Sequence, residues 1–424
     1  MNNLSKSLFD VLPWGKWIIY PLLFAWTVAQ PVAVLDLLPL GIRMSLFFWK
    51  NIIGVFVILI GLFLLLIGIS RGYTPTINKP LLGISLVFPF YSLFTMLFRV
   101  PGTSIEEQIL YFLWPLALYM VFPPLFATYA YQRKGIWMML LANLVVLGIG
   151  ILPYLRREDF ASWLDYQYRA AFGFTQPNIY SASWAVIFAS SLYLLLGDTN
   201  KIQRYFLYGT GIVSIILIFF ARSESMLLMS FGILLIYFIF ESQLSQQVWI
   251  GIGWVVAAIL LPFLSHFLNP ELLNDISSGR IQVWQRTWEL NFKEAVIIDY
   301  FTGKSLLLSG NIHYTGERMG FQAARAQSDN AYIARFLQSG LIGFLLYFVP
   351  FILMLRFMFM WRQQLIGVNR KYISWIISVW FSVFLSIWAL DIIPSFGNVI
   401  NIFLFIASAV VLALPTSSSR IATV

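Results

Sequence analysis

The chain contains no cysteine and only two histidines, His266 and His313. The first absence excludes disulfides, thiolate nucleophiles and zinc–thiolate sites together. The second leaves too few ligands for a histidine metal cluster, so neither a metal nor a cofactor is expected. Charge is also scarce. Only 11% of the 424 residues are charged and 60% are hydrophobic, against about 25% and about 45–50% in soluble domains. A soluble fold cannot hide that much apolar surface and still cover itself with polar groups. Much of the chain therefore has lipid as its solvent, and the expected class is an all-α polytopic membrane protein. Low-complexity tracts and internal repeats are lacking too.

A helix needs about 20 apolar residues to cross the hydrocarbon core. Twelve stretches qualify, near 17–35, 48–69, 80–98, 107–130, 136–154, 177–196, 205–220, 224–241, 247–267, 338–360, 372–390 and 396–414. Lys6 and Lys16 precede the first, but further apolar stretches come at once after it, which marks it as a span rather than a cleaved signal. Lys and Arg concentrate in alternate short connections, among them Arg71, Lys79, Arg133, Lys134, Lys201, Arg204, Arg362, Arg370 and Lys371. That bias puts both termini in the cytoplasm. The chain then divides into helices 1–9 over 1–267, one large extracytoplasmic loop over 268–337, and helices 10–12 with the C-terminus over 338–424. The net charge of +9 is spread between apolar runs. It suits cytoplasmic anchoring, membrane lipids and anionic lipid substrates, not nucleic acid.

The loop has internal order. Ser277-Ser278-Gly279-Arg280 offers helix N-cap chemistry, and Ile281, Trp284, Trp288 and Phe292 come next at helical spacing. The pattern predicts a short amphipathic helix over 280–294 lying on the membrane face. Gly303, Gly310 and Gly316 interrupt the second half of the loop. A further helix is expected to start near Ser328 and run into the span at 338–360.

Arginines on the outer side run against the charge bias. Arg169, Arg222, Arg280, Arg318 and Arg325 all fall there in this topology. Guanidinium groups bind phosphate oxygens in a bidentate fork and stay charged, so a cluster of them suits a diphosphate headgroup. Each taken singly also reads as a side chain snorkelling to interfacial lipid phosphates. Arg222 sits in Phe219-Phe220-Ala221-Arg222-Ser223-Glu224 between two apolar runs. Either two spans meet there in a tight turn, or a charge pair lies within the membrane facing a polar cavity. Arg169 leads through Gly173 to Pro177 and Asn178. Pro177 fits the first turn of the next helix, and Asn178 reads as a turn residue or as a sugar contact. Arg280 lies at a helix start, where free N–H groups favour an anion. Trp284, one turn on, can stack on a sugar ring or anchor in the interface. The densest polar cluster beside a span is Arg325-Ala-Gln-Ser328-Asp329-Asn330-Ala-Tyr332. Asp329, its only carboxylate, can take a proton from an attacking hydroxyl or cap the next helix.

At these residues the chain resembles the O-antigen ligase and Wzy-type polysaccharide polymerase superfamily of bacterial envelope assembly. The matching pieces are Arg169…Gly173…Pro177-Asn178, the Arg222-Ser223 pair after an apolar helix, and Gly279-Arg280-Ile-Gln-Val-Trp284 opening the loop. Ser328-Asp329-Asn330-Ala-Tyr332 with Gly340-Leu-Ile-Gly343 closes it. The resemblance implies a GT-C-like helical architecture and a metal-independent glycosyltransferase of the bacterial cytoplasmic membrane. Its substrates would be undecaprenyl-diphosphate-linked glycans, and flippase and chain-length regulator proteins would be its partners. Arg169, Arg222, Arg280 and Arg325 would hold the diphosphate, and Asp329, with His313 in reserve, would be the base. Asn178, Trp284, Tyr314, Asn330 and Tyr332 would meet the glycan. Ligases of the family carry His-Asn where this chain has Asp329-Asn330, which favours polymerase over ligase. A lipid-linked glycan flippase would also explain twelve spans, but not one large ordered outer loop, and it calls for midplane charges that most spans lack.

The topology is open to a direct test, because the chain has no thiol of its own. Cysteines at Gln285 and Thr315 should react with an impermeant reagent from outside the cell, and one at Ile366 should not. Labelling of position 366 from outside would reverse the arrangement.

Overall fold

The computed structural model describes residues 6–32, 40–98, 105–151, 177–221, 223–241, 296–303, 331–386 and 398–414. Every element among them is a helix. A short α1 (Leu8–Val11) precedes α2 (Gly15–Val32), α3 (Leu40–Ser70) and α4 (Lys79–Phe98). Next comes α5 (Ile105–Leu116), which passes through a π-helical turn (Ala117–Val121) into α6 (Phe122–Leu125). Beyond it lie α7 (Tyr129–Ile151), α8 (Pro177–Leu195), α9 (Lys201–Phe220) and α10 (Glu224–Glu241). The last are α11 (Ile297–Thr302), α12 (Ala331–Gln364), α13 (Gly367–Ser386) and α14 (Val399–Leu412).

Eleven of the twelve apolar stretches coincide with helices, and the twelfth, 247–267, lies outside the described residues. Five helices among the described residues are long and apolar enough to cross a membrane: Trp49–Ser70, Gln108–Leu125, Tyr129–Gly150, Lys201–Phe220 and Ser339–Gln364. Lys79–Thr95, Ile179–Leu195, Ser225–Glu241 and Val399–Leu412 are shorter apolar helices. The protein is an α-helical membrane protein. In hydrocarbon no water can satisfy a backbone N–H or C=O, so the chain bonds to itself within each helix.

Packing sorts the helices by burial. Helix α14 is buried along its whole length and packs on α6, α7 and α8, so a helix apolar on every face forms the centre. Helix α9 lies at the edge. Ile202, Tyr205, Ile212 and Phe219 are all more than 60% exposed, as suits a surface facing lipid. Its start is fixed by Asn200, which accepts from the Gln203 N–H at 2.8 Å while Gln203 bonds back to the Asn200 N–H. The closest pair is α10 with α13. Ser374, Ser378, Ser382 and Ser386 recur every fourth residue on α13, and all are buried. Small residues let helix backbones approach in a membrane, where no hydrophobic force drives association. Three of these hydroxyls turn back onto their own helix, Ser378 to Ser374 C=O and Ser382 to Ser378 C=O at 2.7 Å, and Ser386 to Val383 C=O at 2.8 Å. At the end away from the large loop, Arg362 donates to Ser374 Oγ at 2.8 Å, and Ser374 donates to Glu241 Oε1 at 2.6 Å. Nearby, Arg133 donates to the Asp198 carbonyl and the Tyr372 hydroxyl at 3.0 and 3.1 Å. It lies so close to Gly197 that a Cβ there would overlap it.

Helix α12 is not straight. Gly340 has φ 64° and ψ −169°, a conformation open essentially to glycine alone. The ring of Phe336 meets that of Phe344 at 6.2 Å, and Tyr332 stacks on Phe348 at 5.0 Å. Residues 332 and 348 would lie about 24 Å apart along a continuous helix. The arm 331–339 therefore folds back antiparallel to 341–364, with Gly340 at the apex. The sequence pattern places the new helix near 328 and runs it straight into the span. From Ala331 the chain is helical and reverses direction at Gly340, because that backbone leaves the right-handed helical region, and residues 328–330 lie outside the described residues.

Helix α11 covers the apex. A Cβ on Gly340 would overlap the backbone of Phe301 and Gly303. Gly340→Ala should therefore destabilise the protein by more than about 1 kcal/mol, through strain and through displacement of α11. Thermal melting in detergent checks this, and an unchanged melting temperature would contradict the hairpin.

Candidate functional site

The hairpin of α12 meets α4, α5 and α13 in the half of the bundle nearest the large loop. Tyr332, at the start of the arm, donates to the Phe384 carbonyl at 2.8 Å. That carbonyl lies in the last described turn of α13. Tyr332 also packs on Phe348, eight residues beyond the apex, so the arm begins about 12 Å below the apex along the helix axis. The polypeptide that closes the large loop thus enters α12 well inside the bundle.

Arg335 lies one turn further along the arm and is 4% exposed. Its guanidinium sits over the ring of Tyr111 at 5.3 Å and that of Tyr347 at 5.5 Å, and it donates to the Tyr111 hydroxyl. A cation at this depth is costly unless its field is met, and two aromatic faces with a phenol oxygen meet it. Towards the apex, Ser339 Oγ donates to the Arg335 carbonyl at 2.7 Å, and the Tyr91 hydroxyl donates to the Ser339 carbonyl at 3.1 Å. On the neighbouring helices, Gln108 Nε2 donates to Ser92 Oγ at 2.8 Å. These groups form a buried polar column between α4, α5 and α12.

Below Arg335 lies a cavity of about 30 Å³. Its walls include Ser85 with Pro89, Tyr111 with Pro115, and Leu346 with Pro350. Each pair is a proline and the residue four before it. Proline lacks the N–H that would bond the carbonyl at that position. Three helices are thus interrupted around one small space, beside the buried hydroxyls of Ser85 and Tyr119. The cavity has room for water but not for a sugar or a diphosphate.

Several residues expected to carry chemistry lie outside the described residues: Arg169, Arg222, Arg280, Trp284, His313, Tyr314, Arg325, Asp329 and Asn330. Some of their positions are nonetheless bracketed. Helix α8 starts at Pro177, in line with the first-turn preference of proline, and Asn178 lies in its first turn. Helix α9 ends at Phe220 and α10 begins at Glu224, and residue 222 between them lies outside the described residues. Ala221 and Ser223 on either side of it are buried. Tyr332 is described, and its hydroxyl is bonded to the Phe384 carbonyl. Sequence reasoning does not single out Arg335 or the three prolines. Arg335 carries a signal, since it is a lone cation in an otherwise apolar run entering a span. The prolines carry none, because only the packing brings them together.

No protein-family model matches the chain, and no curated protein matches it.

Removing the Tyr332 hydroxyl tests the seating of the arm. Tyr332→Phe keeps the ring on Phe348 and leaves the Phe384 carbonyl without this donor. The expected loss is about 1 kcal/mol, read as a lower melting temperature in detergent. A variant as stable as the parent would show that the bond holds nothing in place.

Proposed function

We propose that the protein is a Wzy-type polysaccharide polymerase. It would join undecaprenyl-diphosphate-linked repeat units of an O-antigen, capsule or exopolysaccharide on the outer face of the bacterial cytoplasmic membrane. The observation that carries this reading is the hairpin of α12, whose arm begins at Ala331, the residue that follows Asp329-Asn330 in the sequence. An enzyme acting on a lipid-linked headgroup needs its polar residues at the depth of the headgroup. The order of the arginine-bearing motifs along the chain adds to this.

The chemistry asks little of the protein. The acceptor hydroxyl attacks the anomeric carbon of the donor sugar, forming a new C–O bond while the bond to the diphosphate oxygen breaks. Asp329 takes the hydroxyl proton as that oxygen becomes nucleophilic. Arg169, Arg222, Arg280 and Arg325 hold the charge that builds on the departing diphosphate. Asn178, Trp284, Tyr314 and Asn330 orient the sugars. Much of the rate would come from holding the two headgroups in reach of each other.

Two experiments test this. Asp329→Asn should lower transfer by about 10²–10⁴-fold with the protein still present in the membrane. Deletion of the protein should leave single repeat units on the carrier and no long chains. Long chains accumulating on the carrier, unattached to a final acceptor, would instead identify a ligase.

A further inference from the structure

We propose that Arg335 is a positioning residue, whose clamp between Tyr111 and Tyr347 fixes the depth of the arm 331–339 and so aligns the loop-closing segment for transfer. This inference rests on the polymerase reading for its functional half, and its structural half can be tested alone.

An apolar side chain at position 335 would dock the arm against α5 and α12 without burying a charge. Replacing a buried cation with a hydrophobic residue of similar size is often neutral or stabilising, so stability alone does not explain Arg335. What the guanidinium supplies is direction. Its charge lies over two aromatic rings while an N–H reaches the hydroxyl of Tyr111. A sliding or rotated arm loses the ring contacts and the bond together. Leucine or methionine would tolerate such a slip, since dispersion contacts are not directional.

The neighbouring contacts extend this control in both directions. Tyr332, one turn earlier, is tied to α13 through the Phe384 carbonyl. Ser339, one turn later, is tied to α4 through Tyr91, and Gly340 is pressed by α11. Arg335 is the middle of three attachments, and the one that joins the arm to α5. It is not placed to bind a headgroup itself, because it is 4% exposed and the cavity beside it is about 30 Å³.

The test uses the full-length chain, whose lack of cysteine makes any introduced thiol unique. Ser339→Cys reports on the arm and Ser190→Cys on α8, since the two serines are 5% and 0% exposed. Maleimide labelling of the purified protein in detergent is compared with and without Arg335→Gln, Arg335→Lys and Tyr111→Phe. Arg335→Gln should speed labelling of the arm about tenfold, the scale of a lost hydrogen bond to a charged group. Labelling at position 190 should not change. Arg335→Lys should restore only part of the protection, because an ammonium has no plane to stack. Tyr111→Phe, which keeps both rings and the cation, should give a smaller increase, and it decides the matter if Arg335→Gln does not accumulate. In cells carrying each variant as the sole copy, the glycan should shorten in the same order.

Unchanged labelling of the arm in both Arg335→Gln and Tyr111→Phe overturns the proposal. Faster labelling at both thiols overturns it as well, since Arg335 would then support the whole bundle. If the arm is released and glycan length is unaffected while Asp329→Asn abolishes chains, the positioning role fails and the polymerase reading stands. If Asp329→Asn is also without effect, both fail.

Discussion

Hydrocarbon offers no partner to a backbone N–H or C=O, and the arrangement of this protein depends on that constraint. Where the chain faces lipid it is regular helix, as along α9 and the outer side of α3. Each break in helical hydrogen bonding must be sheltered by other protein. Among the described residues such breaks include the three prolines around the small cavity, the π-helical turn after α5 and the reversal at Gly340, and Pro21 and Pro31 interrupt α2 as well. The cavity prolines and the reversal lie at the contacts of α4, α5 and α12, and the π-helical turn continues directly from α5.

The same shelter admits polar side chains. Arg335, Tyr111, Tyr91, Ser339, Gln108 and Ser92 form a column that would be ruinous on a lipid-facing surface. Between helices each group can find an oxygen, a donor or a ring. Low dielectric strengthens these contacts and raises the penalty for leaving one unmade, so the column specifies one arrangement of its three helices. A hairpin anchored in that way can bring the end of a long loop to a fixed depth. A transferase working on lipid-linked headgroups has need of such a device.

The opposite end of the bundle is built differently. There the cations fasten helix ends, as Arg133 does at the Asp198 carbonyl and Arg362 does at the Phe240 carbonyl, and Ser374 links Arg362 to Glu241. These contacts hold connections in place near the membrane boundary. Cations thus serve as fasteners at one end, while at the other a buried cation sets the geometry of the hairpin. The contrast fits a protein whose chemistry is confined to the side of the large loop.

The positions of the helices were legible from the sequence, because the spacing of apolar runs reflects only the thickness of the membrane. The first turn of α8 at Pro177 came from local rules too, since a fixed φ acts over a few residues. The arginine motifs and Asp329-Asn330 were visible as residue types in order. Three things were decided only by tertiary packing. Gly340 stands in the sequence only as part of the motif that closes the loop, yet it is the apex of a reversal that sets Tyr332 and Phe336 against Phe348 and Phe344. Pro89, Pro115 and Pro350 lie far apart in the chain, and only the bundle places them round one cavity. Arg335 stands in the sequence as a lone cation in an apolar run, and its meaning depends on Tyr111 and Tyr347 coming from different turns of the chain. Local sequence determines what can be helical because hydrogen bonds within a helix span four residues. It cannot determine which rings meet a cation, because that depends on contacts separated by as many as 224 residues.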